Sequence, residues 1–171
     1  GVQTCALPIL ADCKSVFAQL FARTTDQGSL WLIADTMLDQ TTSPSRLRNI
    51  PFDLARECES AGWTLRDVII WHKDKTRPWS NAGRLRNSFE YVLFFVKTSS
   101  FNYRLDRIRE PNHLAQWWVK YPERYNPRGK APENLWHFPI PSQGSWANTS
   151  VRHACPLPPD LIRSEEHTSE L

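Results

Sequence analysis

An α/β fold with a doubly wound sheet is predicted by two observations along these 171 residues. Helical and strand-like apolar patterns alternate over residues 12–71, the order that lays helices against a largely parallel sheet. Two aromatic-rich runs, Val68–Trp71 and Ser88–Lys97, then flank a polar loop, so the last strand should return antiparallel to its neighbours.

From Asp12 to Thr24, Val16, Phe17, Leu20 and Phe21 recur at helical spacing, giving a helix with one apolar face. Thr25, Asp26, Gln27 and Gly28 end it in a turn, and Gly28 is expected to take a positive φ. Ser29–Ala34 is an almost unbroken apolar strand, the pattern of a strand covered on both faces. Asp35 and Thr36 follow at its carboxyl end, where open α/β sheets gather ligand chemistry. A cap or turn role suits Asp35 equally. Met37–Asn49 is polar, contains Pro44 and two arginines, and is expected to be a surface loop. Pro51–Gly62 is a second amphipathic helix, with Pro51 in its first turn, Phe52, Leu54, Ala55, Cys58 and Ala61 on the buried side, and Gly62 as its stop.

The loop between the two aromatic-rich strands concentrates charge. Lys73, Lys75, Arg77, Arg84 and Arg86 surround Trp79, offering cations for phosphates and a flat ring for a base. A solvated basic loop has the same composition. Glu90, early in the second strand, is expected either to pair with a nearby Arg or to lie by a base pocket, the pair being favoured. His72 is expected to be a strand-end hydrogen-bonding residue, because no second ligand residue sits beside it in the chain. Farther on, Trp117, Trp118, Tyr121 and Tyr125 interleave with Lys120, Arg124, Arg128 and Lys130, a mixture that binds nucleic acid or packs on the core. Asn126–Lys130 holds one glycine and is no phosphate loop. Ser142–Val151 is a polar loop in which Trp146 is a further nucleic-acid candidate.

The two ends stand apart. Residues 1–9 and 163–171 can be back-translated into DNA strings that are reverse complements over nearly their whole length. They are therefore expected to be translated sequencing adapters flanking an internal piece of a longer protein, and are set aside from the fold. Without them 20 basic and 15 acidic residues remain, so the net charge is +5 rather than +3. That mild positive balance suits a polyanionic partner without specifying one. Cys13, Cys58 and Cys155 are scattered and unpaired in spacing, which fits a reducing compartment better than a disulfide framework. No apolar run reaches membrane-spanning length.

An ordered series of segments resembles the DNA methyltransferases that modify the exocyclic amine of adenine (N6) or cytosine (N4). It comprises Gly28-Ser29-Leu30-Trp31-Leu32, Gly62-Trp63, Ile69-Ile70-Trp71-His72-Lys73 and Arg86-Asn87-Ser88-Phe89-Glu90-Tyr91-Val92-Leu93-Phe94-Phe95. It continues through Tyr103-Arg104-Leu105-Asp106-Arg107-Ile108-Arg109-Glu110-Pro111 and Asn134-Leu135-Trp136-His137-Phe138-Pro139 to His153-Ala154-Cys155-Pro156 and Leu161-Ile162. The resemblance spans nearly all of residues 11–162. It implies an incomplete Rossmann-like fold that binds S-adenosylmethionine (S-adenosyl-L-methionine), with residues 10–162 a partial domain and 111–150 a candidate target-recognition insert.

Further implications concern the site. In permuted members of the family an Asp/Ser/Asn-Pro-Pro-Tyr/Trp motif precedes the first helix seen here and a Phe-x-Gly-x-Gly loop follows the last segment; neither motif occurs in this sequence. An exocyclic amine is a poor nucleophile, so the base must be flipped, hydrogen-bonded and stacked while the methyl donor is held in line. The catalytic residues are therefore expected outside the chain, and the chain alone is expected to be inactive. Lys75, Arg77, Trp79, Arg84, Arg86 and Trp146 are the candidate contacts to double-stranded DNA. His153, Pro156 and Leu161 are the cofactor-side candidates. No metal is implied, and the family points to the cytoplasm of a prokaryote or a phage-infected cell. Two rivals are a non-catalytic nucleic-acid-binding module, which needs only the basic loop and aromatics, and a metal-dependent nuclease, which needs clustered carboxylates that the scattered acids do not provide.

Overall fold

Strand β5 (Phe89–Val96) is the spine of a four-stranded sheet, flanked by β1 (Ser29–Ala34) on one side and β4 (Thr64–His72) on the other. Both neighbours run antiparallel to it, and β6 (Leu135–His137) adds to the far side of β4 in parallel, giving the order β1-β5-β4-β6. This computed structural model describes residues 6–74, 83–110, 120–124, 126–140 and 157–163. The expected α/β architecture and the antiparallel return of the hairpin strand are both present. Strands β1, β4 and β6 share one direction, yet only β4 and β6 form a parallel ladder among the described residues, because β5 separates β1 from β4.

The register explains the long apolar run in β5. Leu93 and Phe95 face α1 (Ala6–Arg23) and α2 (Ile50–Ser60), where they join Phe17, Leu54, Ala55, Cys58 and Trp63. Val92 faces the other way, toward Ile69, Trp71 and Leu161, with Trp31, Ile33, Trp136, Phe138 and Ile140 packed around them. Both faces are covered, so alternation with polar residues disappears. Burying side chains of this size contributes roughly 1.5–3 kcal/mol each. Two indole N–H groups inside these layers are satisfied by distant carbonyls: Trp63 Nε1 donates to Phe17 O at 3.1 Å and Trp71 Nε1 to Phe138 O at 2.9 Å. Sheet and α1 are thus tied on one face, sheet and closing segment on the other.

Several elements differ from the sequence expectation. Helix α1 starts at Ala6, inside the stretch set aside as adapter-like, and β4 starts at Thr64, with a register shift between Leu65 and Asp67. Residues expected as a surface loop form a two-stranded ribbon, β2 (Met37–Asp39) with β3 (Arg46–Arg48). Three-residue strands carry too little periodicity to be seen in sequence. Asp39 organises this ribbon, accepting from Thr41 N–H at 3.0 Å and Thr41 Oγ1 at 2.6 Å with Arg48 and Arg46 at 3.9 and 4.0 Å. Gly28 is not in the positive-φ region; its place is steric, because an added Cβ would lie 2.2 Å from Thr24 Cγ2. Gly62 does take the expected positive φ, at 105°, and ends α2 under the ring of Phe21.

Candidate functional site

The carboxyl ends of β1, β4 and β6 bring together the polar residues that the chain scatters. Asp35 follows β1; its Oδ1 accepts the Thr36 N–H at 2.6 Å and its Oδ2 accepts from Asn87 Nδ2 at 2.5 Å. The turn role and a cross-link therefore coexist, and the cross-link joins β1 to the returning foot of the basic loop. At the outgoing foot, the Lys73 N–H donates to Ser88 O at 2.8 Å, continuing the hairpin one step past β4. Asp74 Oδ1 accepts the Ile140 N–H at 3.0 Å, fastening that foot to the segment after β6.

Beneath the loop lies an ion pair. Lys73 Nζ sits 2.8 Å from Glu90 Oε1, and the two side chains are only 12% and 11% exposed. The expected structural pairing of Glu90 is thus realised, with Lys73 as a partner. Lys73 belongs to the support of the loop rather than to its contact surface. The backbone places these partners: Trp71 and Glu90 are register neighbours, and Lys73 extends the same strand by two residues.

Of the predicted DNA contacts, Arg84 and Arg86 are described, the first half-buried and the second exposed. Lys75, Arg77, Trp79 and Trp146 lie outside the described residues, as do His153 and Pro156. Leu161 has 0% exposure and packs against Ile69, Trp71 and Val92, so its observed role is to close the sheet face. Leu85, between the two described arginines, is 93% exposed and was not singled out from sequence.

The aromatic and basic stretch after residue 111 changes character in three dimensions. Trp117, Trp118 and Tyr125 lie outside the described residues. Arg128 pairs with Asp106, and Lys130 Nζ lies 3.1 Å from Glu110 and 3.2 Å from Glu133. Hydrogen bonds that Lys130 donates to the Glu110 and then the Glu133 carboxylate raise its pKa above the ordinary value. Hydrogen bonding by Arg109, with Arg128 close by, holds the Asp106 carboxyl below its own. Among the described residues these two cations tie Asp106 and Glu110 to residues 128–133 through solvent-exposed ion pairs. Arg124 stacks over Tyr121 at 4.6 Å. A groove of about 330 Å³ is lined by Ile108, Pro132, Trp136 and Phe138 together with Glu110 and Glu133.

His137 was missed as a site residue. Strand β6 pairs it directly with His72, leaving the two Nδ1 atoms 3.2 Å apart. Its sequence neighbourhood, Leu135-Trp136-His137, carries no strand signal long enough to foretell the pairing. Asn87 was likewise hidden, since its partner Asp35 lies 52 residues away.

Comparisons with known proteins give the family and the fold. The profile of a family described as DNA methylase, of the N6/N4 type, matches residues 7–164. The Type II methyltransferase M.SfiI of Streptomyces fimbriatus is 29% identical over 113 residues, covering 58% of this chain and 27% of the relative. M.Cfr9I of Citrobacter freundii, also a Type II methyltransferase, is 33% identical over 135 residues, covering 64% of this chain and 45% of the relative. The chain thus spans less than half the length of these two relatives. Among solved structures, TTHA0409 of Thermus thermophilus, described as a DNA modification methylase and complexed with S-adenosyl-L-methionine, superposes with a TM-score of 0.51 at 16% identity. That alignment covers 78% of this chain and 51% of the other, and it shows a shared fold.

Proposed function

The chain belongs to the N6/N4 DNA methylase family, and on that premise we propose that it is the target-facing part of an enzyme that methylates the exocyclic amine of adenine or cytosine in double-stranded DNA, with S-adenosylmethionine as donor. The observation that carries this reading is the anchored base of the loop. Asn87 to Asp35, Lys73 to Ser88 and Glu90, and Ile140 to Asp74 hold both feet of residues 75–86 at the strand ends. These contacts anchor the described residues on either side of a stretch rich in cations, and cations near a turned-out base are what a duplex substrate requires.

In this reading Lys75, Arg77, Arg84 and Arg86 neutralise phosphates, and Trp79 and Trp146 stack on exposed bases. Of the cofactor-side candidates, Leu161 packs into the core. The cofactor is therefore assigned to the segment of His153 and Pro156 together with the glycine-rich loop that this sequence does not contain. The proposal includes that this polypeptide alone transfers no methyl group, because the Pro-Pro-Tyr-type motif that would hold the amine is also absent from the sequence.

The test has two arms. Duplex binding by this chain should weaken as salt rises, and removal of Arg84 or Arg86 should lower the logarithmic salt slope by about one for each phosphate left without its cation. Methyl transfer from labelled S-adenosylmethionine should be absent for this chain and present for the product of the completed gene. Transfer by the chain itself would refute the inactivity. A completed product that binds DNA without methylating it would replace the enzyme with a binding module.

A further inference from the structure

We propose that His72 and His137 form a two-imidazole binding site for a late first-row divalent metal, bridging the carboxyl ends of β4 and β6. Only the parallel ladder makes this pair, with Trp71 opposite Trp136 and His72 opposite His137. Along the chain His72 has no second histidine near it. The fold supplies one from 65 residues away.

The nitrogen spacing matches chelation. The two Nδ1 atoms are 3.2 Å apart. Two nitrogens each 2.0–2.1 Å from a tetrahedral zinc ion are separated by about 3.3 Å. The ring centroids are 5.0 Å apart with a 62° interplanar angle, so the rings are inclined rather than stacked. His72 is half-buried and His137 exposed, which leaves solvent access for an incoming ion and for the waters that complete its coordination.

The chemistry is self-consistent. Without metal, a neutral pair at this distance shares one proton, one Nδ1–H donating to the other ring's lone pair. With metal, both Nδ1 lone pairs coordinate and both rings carry their proton on Nε2. A neutral pair thus changes tautomer without losing a proton, whereas a protonated pair must release one. No group of three His, Cys, Asp or Glu side chains occurs at a metal-holding arrangement among the described residues. Two imidazoles with water fit an exchangeable ion such as Zn²⁺, Ni²⁺ or Cu²⁺ and discriminate against Mg²⁺, which prefers oxygen ligands. The bound ion would fasten β6 to β4 next to the Asp74–Ile140 link and so stiffen the foot of the basic loop.

Calorimetric titration of the full 171-residue chain, its accessible thiols first blocked by alkylation, tests the site. Ni²⁺ and Zn²⁺ should each bind, and affinity should fall at least tenfold in His72→Gln and in His137→Gln, while Mg²⁺ produces no saturable heat. Long-range proton–nitrogen spectra of the unmutated chain give a readout that does not depend on a variant folding. Zn²⁺ should shift both Nδ1 resonances together and leave each ring with its proton on Nε2. Equal affinity in the variants, no saturable binding by the unmutated chain, or zinc shifts confined to other histidines would each overturn the proposal.

Discussion

Lys73 and Glu90 show what a single pair of residues can decide. Both side chains are almost out of water, so neutralising one strands the other as a buried charge, at a cost of about 3 kcal/mol. Glu90→Gln should therefore lower unfolding free energy by about that amount in urea titration, and Lys73→Met/Glu90→Leu should recover much of it. A loss below about 0.5 kcal/mol for Glu90→Gln would mean that the pair is no stronger than a surface one. Cys58 makes a second case. Burial first, and then the nearby Cys13 thiol, pushes its pKa up to about 12 from 9.0. A raised folded pKa stabilises below the unfolded value and loses that contribution as pH climbs through the folded one, so alkaline solution above about pH 9 should destabilise the fold through this thiol. At pH 8, mass-mapped alkylation should modify half-buried Cys13 in the native protein and reach Cys58 only on unfolding. Native labelling of Cys58 would contradict its place in the core.

Elements add constraints that no single side chain reveals. The β2–β3 ribbon is held by Asp39, whose carboxyl Thr41 holds below its usual 3.8 through side-chain and backbone hydrogen bonds, with Arg48 and Arg46 adding to the effect. A lowered folded pKa stabilises above the unfolded value and is lost as pH falls through the folded one, so this contribution should start to decline below about pH 4. Thermal midpoints followed from pH 6 to 2.5 should fall more steeply for the unmutated chain than for Asp39→Asn; parallel curves would dismiss the effect. At the turn after α1, Thr24 Oγ1 donates to Leu20 O at 2.7 Å, which pins the methyl that an added Cβ at Gly28 would meet. Gly62 adds positive φ to close approach, its notional Cβ lying 3.0 Å from the Phe21 ring. Gly62→Ala should cost about 1–2 kcal/mol in unfolding free energy, and an unchanged stability would show that the turn relaxes freely.

For the whole molecule, the two faces of the sheet are closed by different means. Helices α1 and α2 cover one face, while the segment after β6 and the helical residues 159–163 cover the other around Trp71. Trp71 is fully buried and donates to Phe138 O, whereas Trp31 Nε1 is buried with no hydrogen-bond partner among the described residues. Trp71→Phe should therefore cost about 1–3 kcal/mol more than Trp31→Phe, since only the first leaves a carbonyl unpaired. Equal losses in denaturant titration would mean that the closing segment contributes no hydrogen-bond constraint. Net positive charge and the basic composition of residues 73–86 belong to the same scale, and under the proposed function both would be read out by the salt dependence of duplex binding.

Local pattern was enough for the long elements. Phe17 and Phe21 on α1, Leu54 and Cys58 on α2, and the apolar runs of β1 and β5 repeat at periods that one face of a helix or a doubly covered strand dictates. The same segments, in their order, carried the resemblance to the methylase family, and the basic loop was legible because charge is a property of composition. Pairing across long separations was not legible. The β4–β6 ladder, the His72–His137 contact, the Asp35–Asn87 bond and the pairing of Lys130 with Glu110 each depend on backbone paths that set chain-distant residues side by side. Periodicity reports which face a residue occupies; only the packed sheet decides which residue it meets there.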